Sequence, residues 1–327
     1  MKPKVYVTQA VSENVKSYLE SYFDLETWEK KESIPRETLL QKLKDVNGLL
    51  NAGIPINEEL LSSAPELKIV SNASVGYNNF NIEQMVESGV IGTHTPGTLD
   101  ETVTDLVFGL MISTARRMVE LDAYTRAGKW TGGDDSHFFG LDVFGKTMGI
   151  IGLGRIGESI AKRAVNGFNM DVLYHGRSRK LDAEQEIGIT YAEMDELLSE
   201  SDFIIVMTPL TKETHHLIDK KEFEKMKDTA IIINASRGPT VNEKALVDAL
   251  KEKQIYGAGL DVFDQEPVAP DNPLLKLDNV VLTPHIGSAT AATRERMAQV
   301  AAENLVNYLI KGKQTNVIKE MHHATQN

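Results

Sequence analysis

The sequence predicts an α/β protein built from two doubly wound parallel sheets with a cleft between them. Three observations carry that prediction. Short apolar runs alternate with segments of helical spacing through the first hundred residues, and again from residue 147 onward. One of the later runs leads directly into a glycine-rich turn and a helical segment. The length of 327 residues suggests two domains rather than one.

In chain order, residues 4–8, 25–28, 48–51, 67–72 and 90–94 read as strands, and residues 14–22, 36–43, 57–62 and 82–88 as helices. That is a five-stranded doubly wound unit. Thr95-Pro96-Gly97-Thr98 breaks the pattern and is a hinge candidate, together with residues 286–289. A long helix is expected over residues 100–127. Strands follow at 148–151, 171–174, 203–207, 230–234, 256–260 and 280–283, and a last helix at 291–311. That helix lies beyond the second sheet and is expected to return to the first. The first domain is then discontinuous, residues 1–98 plus 291–327, around a second domain of residues 99–290. In such sheets ligands sit at the carboxyl ends of the strands.

The turn itself reads Gly152-Leu153-Gly154-Arg155-Ile156-Gly157 between a strand and a helix. Gly152 permits the tight turn, Gly154 lets backbone approach a pyrophosphate, and Gly157 lets helix and strand pack closely. The helix N-terminus offers free N–H groups and a positive dipole end to phosphates. Residues 99–290 are therefore expected to be a Rossmann-like dinucleotide-binding domain, and the flavodoxin-like remainder the substrate (catalytic) domain. Gly140-Leu141-Asp142-Val143-Phe144-Gly145-Lys146-Thr147 also satisfies G-x-x-x-x-G-K-[ST]. A working P-loop follows a strand and opens a helix. This one precedes a strand, so no ATPase is expected.

An NAD-binding unit ends its second strand with an acid for the ribose hydroxyls. Here the corresponding stretch is Tyr174-His175-Gly176-Arg177-Ser178-Arg179-Lys180, with no carboxylate. In a chain of net charge −12, a local basic cluster at this position points to a 2′-phosphate held by Arg177, Ser178 and Arg179. The cofactor expected is NADP(H), with NAD(H) the weaker alternative. Thr208 and Pro209 end another strand beside it and are candidates for backbone contact.

The rest of the composition excludes other classes. No apolar run approaches the ~20 residues of a membrane span, and the N-terminus enters a strand without a signal-peptide core. Zero cysteines exclude disulfides and thiolate metal sites and agree with a cytoplasmic location. The acidic balance argues against nucleic acid as the partner. No metal site is expected: His215-His216 are adjacent, and the His322-His323 pair lies in a tail expected to fray.

Three predicted strand ends carry the residues of interest. They are Asn234-Ala235-Ser236-Arg237-Gly238, then Gly259-Leu260-Asp261-Val262-Phe263-Asp264-Gln265-Glu266-Pro267, then Leu282-Thr283-Pro284-His285-Ile286-Gly287-Ser288. Together they bring an anchor for a carboxylate, an acid and an imidazole to one rim. Histidine suits proton transfer because an unperturbed imidazole titrates at about 6.5. A glutamate against it would orient it and favour the protonated form. An arginine can hold a carboxylate and polarise a carbonyl.

With these motifs in view, the sequence resembles the D-isomer-specific 2-hydroxyacid dehydrogenases over essentially its whole length. The narrower likeness, carried by Ser74-Val75-Gly76-Tyr77-Asn78-Asn79-Phe80 and the basic loop, is to glyoxylate/hydroxypyruvate reductases and 2-ketogluconate reductases. The resemblance implies Arg237, Glu266 and His285 as the catalytic residues. It implies Val75, Gly76, Arg237, His285 and Asn51 as substrate-binding residues. It places the cofactor against Thr104, the turn of Gly152, Leu153, Gly154, Arg155, Ile156 and Gly157, and His175, Arg177, Ser178 and Arg179. Thr208, Pro209, Ala235, Ser236, Arg237, Asp261, His285 and Gly287 complete that set. Phosphoglycerate dehydrogenases often carry an added domain, and formate dehydrogenases would have Gln at Glu266. A corepressor-like dinucleotide sensor is the reading from another class. The partners expected are a small 2-oxo or 2-hydroxy acid and a second copy in a homodimer. Trp130 would either cover a substrate pocket, including a partner's, or pack internally.

Overall fold

A computed structural model describes residues 1–322 and divides the chain into two compact units. One comprises Met1–Leu99 with the chain from Ser288 onward, and the other Asp100–Gly287.

The first unit runs β1 (Lys4–Val7), α1 (Glu13–Tyr22), β2 (Asp24–Thr27), α2 (Arg36–Lys42), β3 (Gly48–Asn51), α3 (Glu58–Ser63), β4 (Ile69–Asn72), α4 (Ile82–Glu87) and β5 (Ile91–Thr93). The strands form one parallel sheet in the order β2-β1-β3-β4-β5. Successive side chains of a strand face opposite ways. Val5 and Val7 accordingly join a core with Val15, Leu19, Leu50 and Ile69, while Tyr6 joins Leu39, Leu49, Leu60 and Val70 on the other face. Burial on both faces is why these strands read as short continuous apolar runs. The last helix of the chain, Ala291–Leu309, adds Ala298, Ala301, Ala302 and Leu305 to the Val5 face. That spacing of three and four is one helical stripe. A Cβ at Gly48 would stand 2.9 Å from Leu309 Cδ1, so glycine there lets the helix lie close on the sheet. Ser12, Asn57, Asn81 and Thr290 each cap a helix by accepting from a first-turn amide.

The second unit continues with α5 (Asp100–Ala115), α6 (Met118–Arg126), β6 (Thr147–Ile151), α7 (Arg155–Phe168), β7 (Asp171–His175), α8 (Leu181–Ile187), β8 (Thr190–Tyr191), α9 (Met194–Glu200) and β9 (Phe203–Val206). Then follow α10 (Lys220–Phe223), β10 (Ile231–Asn234), α11 (Glu243–Lys251), β11 (Gly257–Leu260) and β12 (Val280–Leu282), with Ala291–Leu309 as α12. The parallel sheet has the order β12-β11-β10-β9-β6-β7-β8. Its order reverses between β6 and β9, which opens a crevice at their carboxyl ends. The segment 140–147 runs into strand β6, as the sequence implies, rather than from a strand into a helix.

Three expectations need correction. The single helix over 100–127 breaks after Ala115, because Arg117 takes a left-handed φ of 53° and starts a new helix. The Arg117 guanidinium secures the break, donating to Glu120 and to the carbonyls of His137 and Phe139. Trp130 is 68% exposed, so it does not pack internally. The tail is anchored as far as it is described: Met321 is fully buried, its Sδ accepts from the Gly92 amide, and the His322 ring bonds to the carbonyl of Val317. His323 lies outside the described residues.

Candidate active site

At the crevice, Gly152 has a φ of 103°, and a Cβ on it would stand 2.5 Å from the carbonyl oxygen of Met207. A Cβ on Gly157 would stand 2.5 Å from the carbonyl oxygen of Gly152. Both glycines are thus required by the protein's own packing. Gly154 is not: a Cβ there meets nothing within 4 Å, and the backbone is left open to approach. It stands at the N-cap of α7 with no side-chain cap, leaving first-turn amides for an anion. Across the crevice the Thr208 hydroxyl is buried without a hydrogen-bond partner. Such a group calls for a ligand or water. These features fit a dinucleotide pyrophosphate. Leu153 is buried, Ile156 half-buried, and the Arg155 guanidinium lies 3.4 Å from the Asp100 carboxylate. Pro209 is exposed, and its carbonyl accepts from Thr214.

In the loop after β7, Arg179 is exposed but has an acidic partner. Its Nε and Nη2 grip Glu184 of α8 at 2.8 Å each, and the Tyr174 hydroxyl donates to the same carboxylate at 2.7 Å. The Lys180 amide closes the motif by donating to the Tyr174 oxygen. Hydrogen bonds from Arg179 first, and from Tyr174, hold the Glu184 carboxyl below the usual carboxylate range. Arg177 and Ser178 are exposed as well. The His175 Nδ1 must be the donor to the Ala192 carbonyl, 3.0 Å away, so Nε2 is the nitrogen the loop presents.

At the other strand ends, a buried Asn234 organises the first motif. Its Oδ1 accepts from the amide and hydroxyl of Ser236, and its Nδ2 donates to the Arg237 carbonyl. Ala235 is half-buried between them. Gly238 shows how closely the next turn approaches: a Cβ there would overlap the Phe263 carbonyl at 1.9 Å. This contact sets Arg237 near the turn that carries Glu266. Desolvation lowers the Arg237 pKa from its usual value and Glu266 opposes the shift, so the guanidinium remains a cation. Its Nη1 donates to the Ser236 carbonyl at 2.6 Å.

Glu266 is held at both oxygens. Oε1 accepts from the Phe263 amide at 3.1 Å and Oε2 from the His285 Nδ1 at 2.6 Å. The imidazole is thereby oriented with Nε2 outward. His285 itself has a left-handed φ of 52°. Asp261, 1% exposed, fixes that turn by accepting from Thr283 Oγ1 and the amides of Ile286 and Gly287.

Three predicted contacts are otherwise engaged. Thr104 is fully buried, and its hydroxyl bonds to the Asp100 carbonyl and to Ser159 Oγ, which joins α5 to α7. The Gly287 amide is spent on Asp261. Asn51 is fully buried, with Nδ2 on the Ile54 carbonyl and Asn72, and Oδ1 on the Ile54 amide. These bonds shape its loop. Val75 and Gly76 lie in the half-buried loop after β4. Residues missed in the sequence include Glu184, Asn72 and Asn79. The Asn51-x20-Asn72 recurrence at two adjacent strand ends was a usable signal, since buried amides seldom stand alone.

Residues 108–287 match the family described as D-isomer specific 2-hydroxyacid dehydrogenase, NAD binding domain. The chain belongs to that family. A glyoxylate reductase of Pyrococcus furiosus is 47% identical over 94% of this chain and 93% of its own. A glyoxylate/hydroxypyruvate reductase B of an Enterobacter species is 44% identical over 97% and 98%. Among solved structures, a protein from Thermus thermophilus has a TM-score of 0.89 at 39% identity, covering 96% of this chain and 99% of that one. An NADPH-dependent glyoxylate/hydroxypyruvate reductase from Sinorhizobium meliloti, in complex with NADP and malonate, has a TM-score of 0.84 at 30% identity over 98% of each chain. As a 2-hydroxyacid dehydrogenase, the protein is an oxidoreductase that uses a nicotinamide dinucleotide. Among the described residues no helix is long and apolar enough to cross a membrane.

Proposed function

We propose that this dehydrogenase reduces glyoxylate and hydroxypyruvate with NADPH. The observation that carries the reading is the Glu266–His285 pair at 2.6 Å, which leaves one imidazole nitrogen to exchange a proton. His285 in its cationic form donates the Nε2 proton to the carbonyl oxygen of the 2-oxo acid, and takes it back in the reverse direction. Glu266 stabilises the imidazolium and fixes its ring. Arg237 binds the substrate carboxylate and polarises the carbonyl. Amides of Val75 and Gly76 in the first unit serve as further carboxylate donors. When bound, the nicotinamide supplies the hydride. The glycine turn and Thr208 hold the dinucleotide, Asp261 shapes the nicotinamide end, and Arg177 with Ser178 takes the 2′-phosphate.

The same reading assigns substrate binding to the first unit and dinucleotide binding to the second. It includes a cytoplasmic homodimer. Met118, Val119, Trp130, Phe139 and Phe144 are each more than half exposed, which supports a second copy covering this arm. Sedimentation of the purified chain tests that point, a monomer at micromolar concentration counting against it. The function is tested by kcat/KM for glyoxylate, hydroxypyruvate and 2-ketogluconate with NADPH and with NADH. Glyoxylate or hydroxypyruvate should lead, and preference for 2-ketogluconate would overturn the substrate assignment.

A further inference from the structure

In a planar trans peptide, the carbonyl of one residue and the amide of the next point in opposite directions. Whatever holds a carbonyl therefore aims the following N–H. The loop after β4 has three successive carbonyls held in this way. The Ser74 carbonyl accepts from the Thr95 amide at 3.0 Å. The Val75 carbonyl accepts from the His94 Nδ1 at 2.9 Å. The Gly76 carbonyl accepts from the Ser74 hydroxyl at 2.6 Å, with Asn72 Nδ2 at 3.4 Å behind it. The amides so aimed are those of Val75, Gly76 and Tyr77.

Two of the three holders, His94 and Thr95, sit side by side just beyond β5, and they differ in kind. Thr95 uses its backbone, which any residue but proline could supply. His94 uses its side chain, so this one contact depends on residue identity. A carbonyl only accepts, so Nδ1 must carry hydrogen, as it does in one neutral tautomer and in the cation. The position of His94 is itself fixed: its amide donates to the Asn316 carbonyl at 3.1 Å, and its carbonyl accepts from Asn304 Nδ2 at 3.0 Å. Its ring meets Tyr77 edge-on at 5.4 Å, which limits rotation about the side chain.

We infer that His94 is a positioning residue for substrate-carboxylate binding, setting the plane of the Val75–Gly76 peptide and so the direction of the Gly76 amide. This rests on the proposal that the Val75 and Gly76 amides bind the carboxylate. Neutral His94 and cationic His94 serve equally, because both carry the Nδ1 proton when paired with a carbonyl. Loss of the donor leaves the peptide plane free to rotate, and the amide hydrogen bond to the carboxylate weakens in ground and transition states alike. Such uniform binding appears in KM rather than in kcat.

The test compares His94→Leu, which removes the donor, with His94→Asn, whose side-chain amide can place a donor near the position of Nδ1. KM and kcat for glyoxylate are measured at saturating NADPH, with the melting temperature and NADPH affinity of each variant. His94→Leu should raise the glyoxylate KM roughly tenfold with kcat within about twofold of wild type, the loss expected for one hydrogen bond to a charged group. His94→Asn should recover most of that loss. An unchanged KM in His94→Leu overturns the inference. So does a leucine-sized defect in His94→Asn, which would mean that the ring's packing on Tyr77 matters and the donor does not. Gly76→Pro removes the amide itself and separates the two levels. If it raises KM while His94→Leu does not, carboxylate binding by the loop stands and only the role of His94 falls. If a folded Gly76→Pro protein keeps the wild-type KM, the carboxylate reading falls and this inference with it.

Discussion

Two regions at the carboxyl edge of the second sheet each place an acid against a basic side chain, with opposite results. Glu266 takes the Nδ1 of His285 and leaves Nε2 facing outward. Glu184 takes two nitrogens of Arg179 and draws the guanidinium back toward α8. One pairing leaves a ring nitrogen of its partner facing outward, and the other occupies two of its partner's three guanidinium nitrogens. An imidazole has two nitrogens on opposite sides, so pairing one exposes the other. A guanidinium gripped through two nitrogens by one carboxylate has its fork occupied. A basic residue near a ligand site is therefore no measure of its availability until its acidic neighbours are placed.

The largest test of that contrast is His285→Ala. We expect kcat to fall by about 10²–10⁴-fold while NADPH binding, followed by fluorescence titration, is retained. Near-wild-type turnover would remove His285 from the reaction. Next, Arg177→Ala should raise the KM for NADPH by roughly ten-fold to several hundred-fold, the equivalent of one or two charge-assisted hydrogen bonds, and barely alter that for NADH. Equal use of the two cofactors by the wild type would show the loop to be a solvated surface.

Glu266→Gln should act more gently. The amide oxygen can still accept from the His285 Nδ1 and hold the ring, but it brings no negative charge to the proposed proton transfer. We expect kcat/KM for glyoxylate to fall roughly tenfold, about 1.4 kcal/mol of lost charge interaction, with NADPH affinity kept. An unchanged kcat/KM would separate the two side chains functionally. The smallest effect belongs to Arg179→Ala. With its guanidinium occupied by Glu184, the NADPH KM should change by less than about fivefold, in keeping with an exposed ion pair. A loss matching that of Arg177→Ala would mean that Arg179 turns from Glu184 to the phosphate.

The sheets were readable because their strands are buried on both faces and so appear as short apolar runs between helical stretches. The glycine turn was readable because its spacing follows from steric needs that the structure displays at Gly152 and Gly157. What the sequence concealed was pairing across elements. Nothing local marks Glu184 as the partner of Arg179, since the two meet through the turn from β7 into α8. The hydrogen bonds of Thr104 to Ser159 and of Asn51 to Asn72 were hidden in the same way, because they join residues far apart in the chain. The break at Arg117 was hidden for a related reason: its left-handed backbone is stabilised by carbonyls of His137 and Phe139, some twenty residues ahead.

The return of α12 to the first sheet also orders events during synthesis. The strands β1–β5 leave the ribosome early, but the face carrying Val5, Val7, Leu50 and Ile69 is completed by Ala298, Ala301, Ala302 and Leu305, roughly two hundred residues after β5 ends. Throughout that interval α1, through Val15 and Leu19, is the helix that covers this face, and the α12 side of it stays open while all of the second unit emerges and can close its own core. The unit that begins the chain is thus the last to mature, contrary to the usual N-terminal-first order. Nascent chains stalled before Thr290 should show a protease-sensitive first unit beside a resistant second one, and equal resistance of the two would refute that order.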